Sequence, residues 1–248
     1  MSGVILDKIV TDGLILYVDS ANSRSYEGGS TVKDLVSTDI GTANSVTPVY
    51  SVFYYSPYFN FDGTSASNWI NMTNRIPALF LTLFTMDVWF KPSSAGGTAG
   101  IFASGISSSN TAYSGFFINI GTLSGGGFAV SANAGNGLGA GASNRKSLTT
   151  NSNVIIADSW NHVTATCDAF DMSFQIYVNG VLQTGVTYTG TGTFLSWGIG
   201  TFPSIGRATG NDIFKYTGQI SICKMYSKIL SQDEVTQNYN ANKKRFGL

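Results

Sequence analysis

Charged side chains are scarce in this sequence. Only 11% of the 248 residues are charged, with 14 basic residues against 14 acidic ones, whereas about 25% is usual. A neutral chain lacks the basic surface that binds nucleic acid, and an aromatic content of 13% is unlike that of a disordered protein. No apolar run approaches the roughly 20 residues that span a bilayer, and no secretion signal is recognisable. We therefore expect a folded protein with no nucleic-acid or membrane partner.

Residues suited to acid–base catalysis are also few. Glu27 and Glu234 are the two glutamates, and His162 is the one histidine. A glycosidase needs two carboxylates a few ångströms apart, but Glu234 fits a helix cap, Glu27 lies in a turn-like stretch, and Asp168 and Asp171 fit the ends of a turn. A catalytic triad or a zinc site would depend on His162, which we expect to be structural or at the surface. The sequence predicts that the protein is not an enzyme.

Cysteine is limited to Cys167 and Cys223, which are too few for a disulfide framework. Each lies in a strand-like run, which favours free thiols in the core. A single bridge between strands is the alternative.

No cofactor and no metal site are predicted. Calcium is the metal that is hardest to exclude, because it needs only oxygen ligands. Loop residues that could supply them are Asp62, Asn68, Asn110, Asp158 and Asp212. Their spacing matches no EF-hand, and Asp and Asn in loops usually form turns, so a structural calcium ion stays an alternative only.

The sequence does contain many short runs in which apolar and polar residues alternate. The clearest run places Phe84, Met86, Val88 and Phe90 on one face. Such alternation is typical of half-buried antiparallel strands. The runs are separated by segments rich in Gly, Ser and Asn, and the segments 93–100, 105–114 and 132–150 are expected to be loops. The pattern predicts an all-β protein, a two-sheet sandwich or a barrel.

Two local signals are specific. Asn179 and Gly180 tolerate the positive φ angles of a type I′ hairpin turn. Near the C-terminus, Ser231 and Glu234 have the spacing of a capping box. These residues predict a short C-terminal helix over 232–242. We expect residues 1–12 to form an N-terminal arm and residues 13–248 to form one domain.

Sandwich proteins that bind sugars use exposed aromatic side chains that stack on sugar rings, together with Asn and Asp. The candidates near strand ends or loops are Trp69, Trp197, Tyr113 and Tyr188. The alternative is that these aromatic side chains fill the core or a subunit interface.

Several segments, in this order, resemble the laminin G-like domains of the concanavalin A-like lectin/glucanase jelly rolls. They are residues 13–19, 21–26, 59–63, 84–91, 160–163, 177–180, 205–206, 218–222, 224–226 and 230–239. The resemblance implies an antiparallel two-sheet jelly-roll sandwich with a short C-terminal helix. The same sandwich serves lectins, adhesion modules, glycosidases and virion proteins. The family's calcium and sugar ligands have no matching residues to which they could be transferred.

The last residues, 238–248, are similar to single-domain structural proteins of tailed bacteriophages, including those that infect cyanobacteria. This resemblance implies a virion structural protein that is not an enzyme. We expect a capsid decoration or cement protein located in the virion, a homo-oligomer such as a trimer, whose partners are capsid or other virion proteins. The arm and the segment 132–150 would reach the neighbouring subunits. The alternative is a carbohydrate-binding module that recognises glycans, in a receptor-binding or adhesion role on a phage tail or fibre.

Overall fold

The computed structural model describes residues 8–44, 47–49, 57–64, 68–72, 82–108, 112–122, 128–139, 141–197, 203–208 and 214–248. These residues form two antiparallel sheets that pack face to face. The all-β jelly-roll sandwich with a short C-terminal helix is confirmed. Within the described ranges, no helix is long and apolar enough to cross a membrane.

Sheet 1 carries the C-terminal helix on its outer face. Its strands, in spatial order, are β14 (Val181–Leu182), β13 (Ser173–Val178), β12 (Asn161–Asp168), β7 (Leu83–Pro92), β17 (Thr217–Tyr226), β5 (Tyr58–Asp62) and β4 (Thr47–Val49), with β1 (Leu14–Asp19) also paired to β17.

Sheet 2 closes the other side of the core. Its strands, in spatial order, are β15 (Val186–Thr189), β11 (Arg145–Thr150), β10 (Phe128–Asn136), β9 (Ala112–Thr122), β8 (Ala99–Ser108), β16 (Ser204–Ile205), β6 (Trp69–Met72), β3 (Ile40–Asn44) and β2 (Thr31–Lys33).

The core lies between the sheets and is built by the predicted alternation. On β7, Phe84, Met86, Val88 and Phe90 are all fully buried in it. Phe84 meets Phe116 of the opposite sheet edge to face, with ring centroids 5.0 Å apart. Burial of one such side chain stabilises the fold by about 1.5–3 kcal/mol, so the alternating stripes account for the pairing of the two sheets.

The C-terminal helix α1 (Gln232–Lys243) begins at the predicted capping box. Ser231 accepts a hydrogen bond from the amide of Glu234, and the Glu234 carboxylate accepts one from the amide of Ser231. A 3-10 turn (Lys244–Phe246) follows. Tyr239 and Phe246 both stack on Trp89, whose side chain points outward from sheet 1. The helix therefore covers the outer face of this sheet.

The segment 8–12 is packed against the fold, whereas residues 1–7 of the predicted arm lie outside the described ranges. Val10 is buried against Leu230 and Val235. Its amide donates to Asn238 Oδ1 at 2.9 Å, and its carbonyl accepts from the Tyr226 hydroxyl at 3.2 Å.

Glycine-rich segments that were expected to be loops form much of sheet 2. The loop prediction holds for residues 93–98, which lie between β7 and β8. It is wrong for most of 105–114, where β8 ends and β9 begins, and for the parts of 132–150 that form β10 and β11. Glycine is needed at two positions of these segments because the backbone of another segment lies directly against them. A Cβ at Gly100 would overlap the backbone nitrogen of Ala208, and one at Gly135 would overlap the carbonyl oxygen of Tyr113.

Two smaller predictions are confirmed. Asn179 and Gly180 both have positive φ, at 50° and 81°, between β13 and β14. Cys167 and Cys223 are free and buried, and burial raises the pKa of both thiols well above the ordinary value.

Candidate functional site

A pocket opens on the outer face of sheet 2, away from the core. Its floor comes from β9 and β10, where outward side chains alternate with core residues because successive residues of a strand point to opposite sides. Phe117 and Asn119 lie on β9, and Asn133 lies on β10 directly opposite Phe117. The floor therefore combines one aromatic ring with two carboxamides.

One wall is supplied by the segment that crosses β8, residues 206–208 and 214–216, which we call the crossing segment. The Gly100 amide donates to the Phe214 carbonyl at 3.0 Å, and Ala208 is buried against Phe117. This packing places Phe214 at the pocket. The absence of a side chain at Gly100 lets the segment lie this close to the sheet.

The opposite wall is the start of β11, where Arg145 and Ser147 line the pocket with Tyr113. The guanidinium carbon of Arg145 lies 5.2 Å from the centroid of the Tyr113 ring, within the range of a cation–π interaction. The backbone of Arg145 is fixed as well, because its carbonyl accepts from the Gly192 amide at 2.9 Å. Both the backbone and the side chain of Arg145 thus have a defined position.

Several polar groups at the pocket are not used by the fold. Asn133 directs its Nδ2 to the carbonyls of Phe117 and Ser131, but its Oδ1 accepts no hydrogen bond from the described residues. Among the described residues, Asn119 Oδ1 accepts no hydrogen bond. The side chains of Ser147 and Arg145 neither donate nor accept one there. The groups on Asn133, Ser147 and Arg145 are available to a ligand, whereas Asn119 Oδ1 is a buried acceptor that a ligand reaches only after the side chain moves.

The polar surface continues from the pocket across sheet 2. Asn119, Ser131, Thr149 and Thr187 lie side by side on β9, β10, β11 and β15. A shallow depression at the end of this row is lined by Thr149, Thr150, Asn151, Ser152, Thr187 and Thr189. Strands are about 4.8 Å apart, so four of them span roughly 14 Å. The result is a band of uncharged hydrogen-bonding groups that continues from the pocket to the edge strand β15.

Among the described lining residues of the pocket, Arg145 alone carries a charge. The other described lining residues are Tyr113, Phe117, Asn119, Asn133, Ala134, Ser147 and Phe214, none of which carries a charge. Aromatic faces beside a few placed polar groups are the usual composition of a small-molecule site. No described lining residue is a base that could activate Ser147, so the arrangement suits binding.

Two of the four predicted sugar-contact residues lie on this face of sheet 2. Tyr113 lines the pocket. Trp69 lies on β6, on the other side of the crossing segment, and the Arg207 guanidinium carbon sits 3.7 Å from its ring centroid. That guanidinium also donates to Asn71 at 3.2 Å. Trp69 thus helps to hold the crossing segment in place.

Tyr188 and Trp197 are held elsewhere. Tyr188 is 44% exposed at the edge of the sandwich. Its hydroxyl hydrogen-bonds the backbone of Phe174 at 3.1 Å and so links sheet 2 to sheet 1. Trp197 is only 7% exposed and packs in the core, where its ring centroid lies 5.0 Å from that of Phe84. The prediction that Trp197 stacks on a sugar is therefore wrong.

His162 belongs to a second polar cluster, which is buried under α1. Its Nε2 lies 2.8 Å from Asp87 Oδ2, and Lys224 Nζ lies 2.8 Å from Asp87 Oδ1, with all three side chains at 0% exposure. Thr164 and Asn238 also hydrogen-bond Asp87. Burial alone would raise the pKa of the Asp87 carboxyl, but the charges of His162 and Lys224 outweigh it and hold the pKa well below its ordinary range. The cluster joins β7, β12, β17 and α1, and His162 is structural.

The residues that were considered as calcium ligands are spread over the fold. Asp62 and Asn68 meet through a hydrogen bond from the Asp62 amide at 2.8 Å. Asp158 lines a surface depression together with Asp62 and Lys91. Asn110 and Asp212 fall outside the described residues. Across the described ranges, no group of three His, Cys, Asp or Glu side chains could hold a metal ion.

The carboxylates considered for catalysis have local roles. Glu27 pairs with Lys33 at the surface, and Glu234 caps α1. Asp168 and Asp171 each accept a hydrogen bond from a backbone amide two residues further on, as expected for turn formers.

Residues 62–236 match the laminin G-type family model described as the concanavalin A-like lectin/glucanases superfamily. No curated protein sequence matches the chain.

Solved structures with a similar fold include the binding domains of bacterial neurotoxins and a sialidase. The receptor-binding domain of botulinum neurotoxin type G has a TM-score of 0.60 at 16% identity, covering 92% of this chain and 51% of that one. The binding domain of botulinum neurotoxin DC in complex with SialylT has a TM-score of 0.62 at 15% identity, covering 94% and 52%. Trypanosoma rangeli sialidase in complex with sialic acid has a TM-score of 0.62 at 14% identity, covering 96% and 34%. The chain spans about half of the toxin domains and about a third of the sialidase.

Proposed function

We propose, from the premise that this chain belongs to the concanavalin A-like lectin/glucanases superfamily, that it is a carbohydrate-binding module without catalytic activity. The pocket on the outer face of sheet 2 is the proposed binding site. The observation that carries the proposal is the set of unused polar groups on Asn119, Asn133 and Ser147 beside the rings of Tyr113 and Phe117.

This composition matches the two kinds of surface that a sugar presents. A pyranose ring has apolar C–H faces, which pack against aromatic rings, and hydroxyl groups, which both donate and accept hydrogen bonds. Carboxamide and hydroxyl side chains offer both functions at one site. A buried acceptor without a partner is unfavourable by about 1–3 kcal/mol, so a ligand hydroxyl that reaches Asn119 Oδ1 after a small side-chain movement would gain affinity.

Binding without catalysis is favoured by where the acidic residues lie. Hydrolysis of a glycosidic bond by the usual route needs two carboxyl groups on either side of it, and none lines this pocket in the described part of the chain. His162, the one histidine, is enclosed under α1.

Two of the similar solved structures are complexes with sialyl ligands, SialylT for the botulinum neurotoxin DC binding domain and sialic acid for the sialidase. At 15% and 14% identity these likenesses concern the fold. They favour glycans as the first ligands to test. A receptor-binding or adhesion role would follow from glycan binding on a cell surface.

The capsid decoration role, the virion location and the oligomer stay predictions, because neither the family match nor the similar structures concern a virion. Co-sedimentation of the purified protein with capsids that lack it would test them. The glycan-binding proposal is independent of the outcome.

The proposal is tested by screening the whole chain on a glycan array and measuring the strongest ligand by calorimetry. Asn133→Ala and Tyr113→Ala are expected to weaken binding about tenfold or more, because each removes a group that lines the pocket. Asn60→Ala is the matched control, since Asn60 is a strand asparagine on sheet 1. The proposal is overturned if the wild-type chain binds no glycan, or if Asn133→Ala and Asn60→Ala bind equally well.

A further inference from the structure

We propose that Arg145 makes the pocket selective for acidic sugars, with a carboxylate on the ligand as the group that it binds. This inference rests on the proposed glycan-binding function and names the class of sugar. It starts from the observation that Arg145 is an exposed cation with no acidic partner in the described part of the chain.

Four basic side chains of the fold are paired with carboxylates and differ from Arg145 in this respect. Lys33 pairs with Glu27, Lys228 with Asp12 and Glu234, Arg245 with Asp19, and Lys224 with Asp87. Arg145 instead lies over the Tyr113 ring. A cation held against an aromatic face keeps its N–H donors for another partner.

The position of Arg145 is defined before any ligand arrives. Its backbone lies opposite Gly135 on β10, and its carbonyl accepts from the Gly192 amide. A Cβ at Gly190 would overlap the Arg145 carbonyl oxygen, so glycine there allows the 190–192 segment to lie against this strand. The contact with Tyr113 then restricts the side chain. A fixed guanidinium loses less conformational entropy when it binds a ligand.

The shape of the guanidinium favours a carboxylate. Its planar fork of N–H groups matches the two oxygens of a carboxylate in a bidentate pair, which is stronger than a neutral hydrogen bond. No carboxylate lines the described pocket, so an anionic ligand meets no like charge there. The apolar rings of Phe117 and Phe214 lower the local polarity, which strengthens the attraction.

The other groups then bind the rest of the same sugar. Asn133 and Ser147 face each other across β10 and β11, two residues along the strands from the Gly135–Arg145 pair. A carboxylate at Arg145 therefore leaves the ring hydroxyls of the same sugar unit close to these side chains. The geometry points to a uronic acid or another sugar acid with one carboxylate.

The test compares four ligands on the full-length chain by calorimetry: a glucuronate-terminated oligosaccharide, its methyl ester, its glucose-terminated counterpart and a sulfate ester of that counterpart. We expect the glucuronate form to bind about tenfold or more tightly than the methyl ester and the glucose form. Arg145→Gln should remove this preference, so that the glucuronate and glucose forms bind about equally. Arg24→Gln, which removes one exposed charge elsewhere, should retain the preference.

Each outcome has one meaning. Equal binding of the glucuronate and glucose forms, still weakened by Asn133→Ala, overturns the selectivity and leaves the proposed function standing. Preferential binding of the sulfate ester over the glucuronate form overturns the assignment of a carboxylate. Absence of binding by all four ligands, together with an empty glycan array, overturns the proposed function and this inference with it.

Discussion

The buried Asp87 cluster allows a sharp test of what holds the C-terminal helix on sheet 1. In Asp87→Asn the shape of the side chain is kept, but the negative charge between His162 and Lys224 is lost. Removing one partner of a buried ion pair destabilises a protein by about 3–5 kcal/mol, because the other charge stays buried without compensation. Lys224 is 0% exposed and lies 2.8 Å from Asp87, so the full penalty applies.

The size of this change is large against the whole stability of a domain. Typical free energies of unfolding are about 5–15 kcal/mol, so Asp87→Asn should remove a substantial part of it. Lys224→Met alone should also destabilise the fold. In Asp87→Asn/Lys224→Met both charges are gone, and we expect a loss smaller than the sum of the two single losses by about 1 kcal/mol or more.

Urea unfolding followed by tryptophan fluorescence measures these differences. Trp89 stacks on His162 at 4.8 Å and on Tyr239 at 5.7 Å, so its emission reports directly on this part of the fold. The account of the cluster is refuted if Asp87→Asn lowers the free energy of unfolding by less than about 1 kcal/mol, or if the two single effects simply add in the double variant.

Three further predictions concern pH and packing. The pKa of Asp87 is lower in the folded protein than in the unfolded chain. Its contribution to stability is therefore present above about pH 4 and is lost as the pH falls further. Acid titration of the unfolding midpoint should show this loss in the wild type and much less of it in Asp87→Asn. Val10→Ala should lower the free energy of unfolding by about 1–2 kcal/mol because Val10 is buried, whereas the exposed Val181→Ala should change it by less than about 0.5 kcal/mol; equal effects would contradict the docking of residues 8–12. Gly100→Ala should destabilise by about 1–3 kcal/mol because its Cβ would overlap Ala208, while Gly97→Ala, where a Cβ has open space, should be close to neutral in the same assay.

Local patterns in the sequence predicted the elements that are amphipathic along their own length. The stripe of β7 and the capping box of α1 are of this kind, since each is complete within a dozen residues. The two ends of strand β8 and the whole of β11 were predicted as loops because their residues are mostly small or polar. These segments form strands because they pair with adjacent strands of the sheet, and the β propensity of their own residues does not predict this.

The candidate site was harder to predict for the same reason. Tyr113 was identified as an aromatic residue beside a loop, but Asn133 and Arg145 are brought to it by the register of β9, β10 and β11. The alternation of Ser131 and Asn133 with the buried Val130 and Ala132 was a readable signal of a polar outer face. The burial of Trp197 depends on packing across the sandwich, which no local pattern shows.

Glycan binding at the pocket on sheet 2 is tested most directly by a protein-observed NMR titration with the best ligand from the glycan array. Binding at the proposed site predicts saturable shifts of the side-chain amides of Asn119 and Asn133, with no comparable change at Asn60 on sheet 1. Shifts confined to sheet 1, or saturation without any change at Asn119 and Asn133, would contradict the assignment of the pocket on sheet 2 as the glycan-binding site.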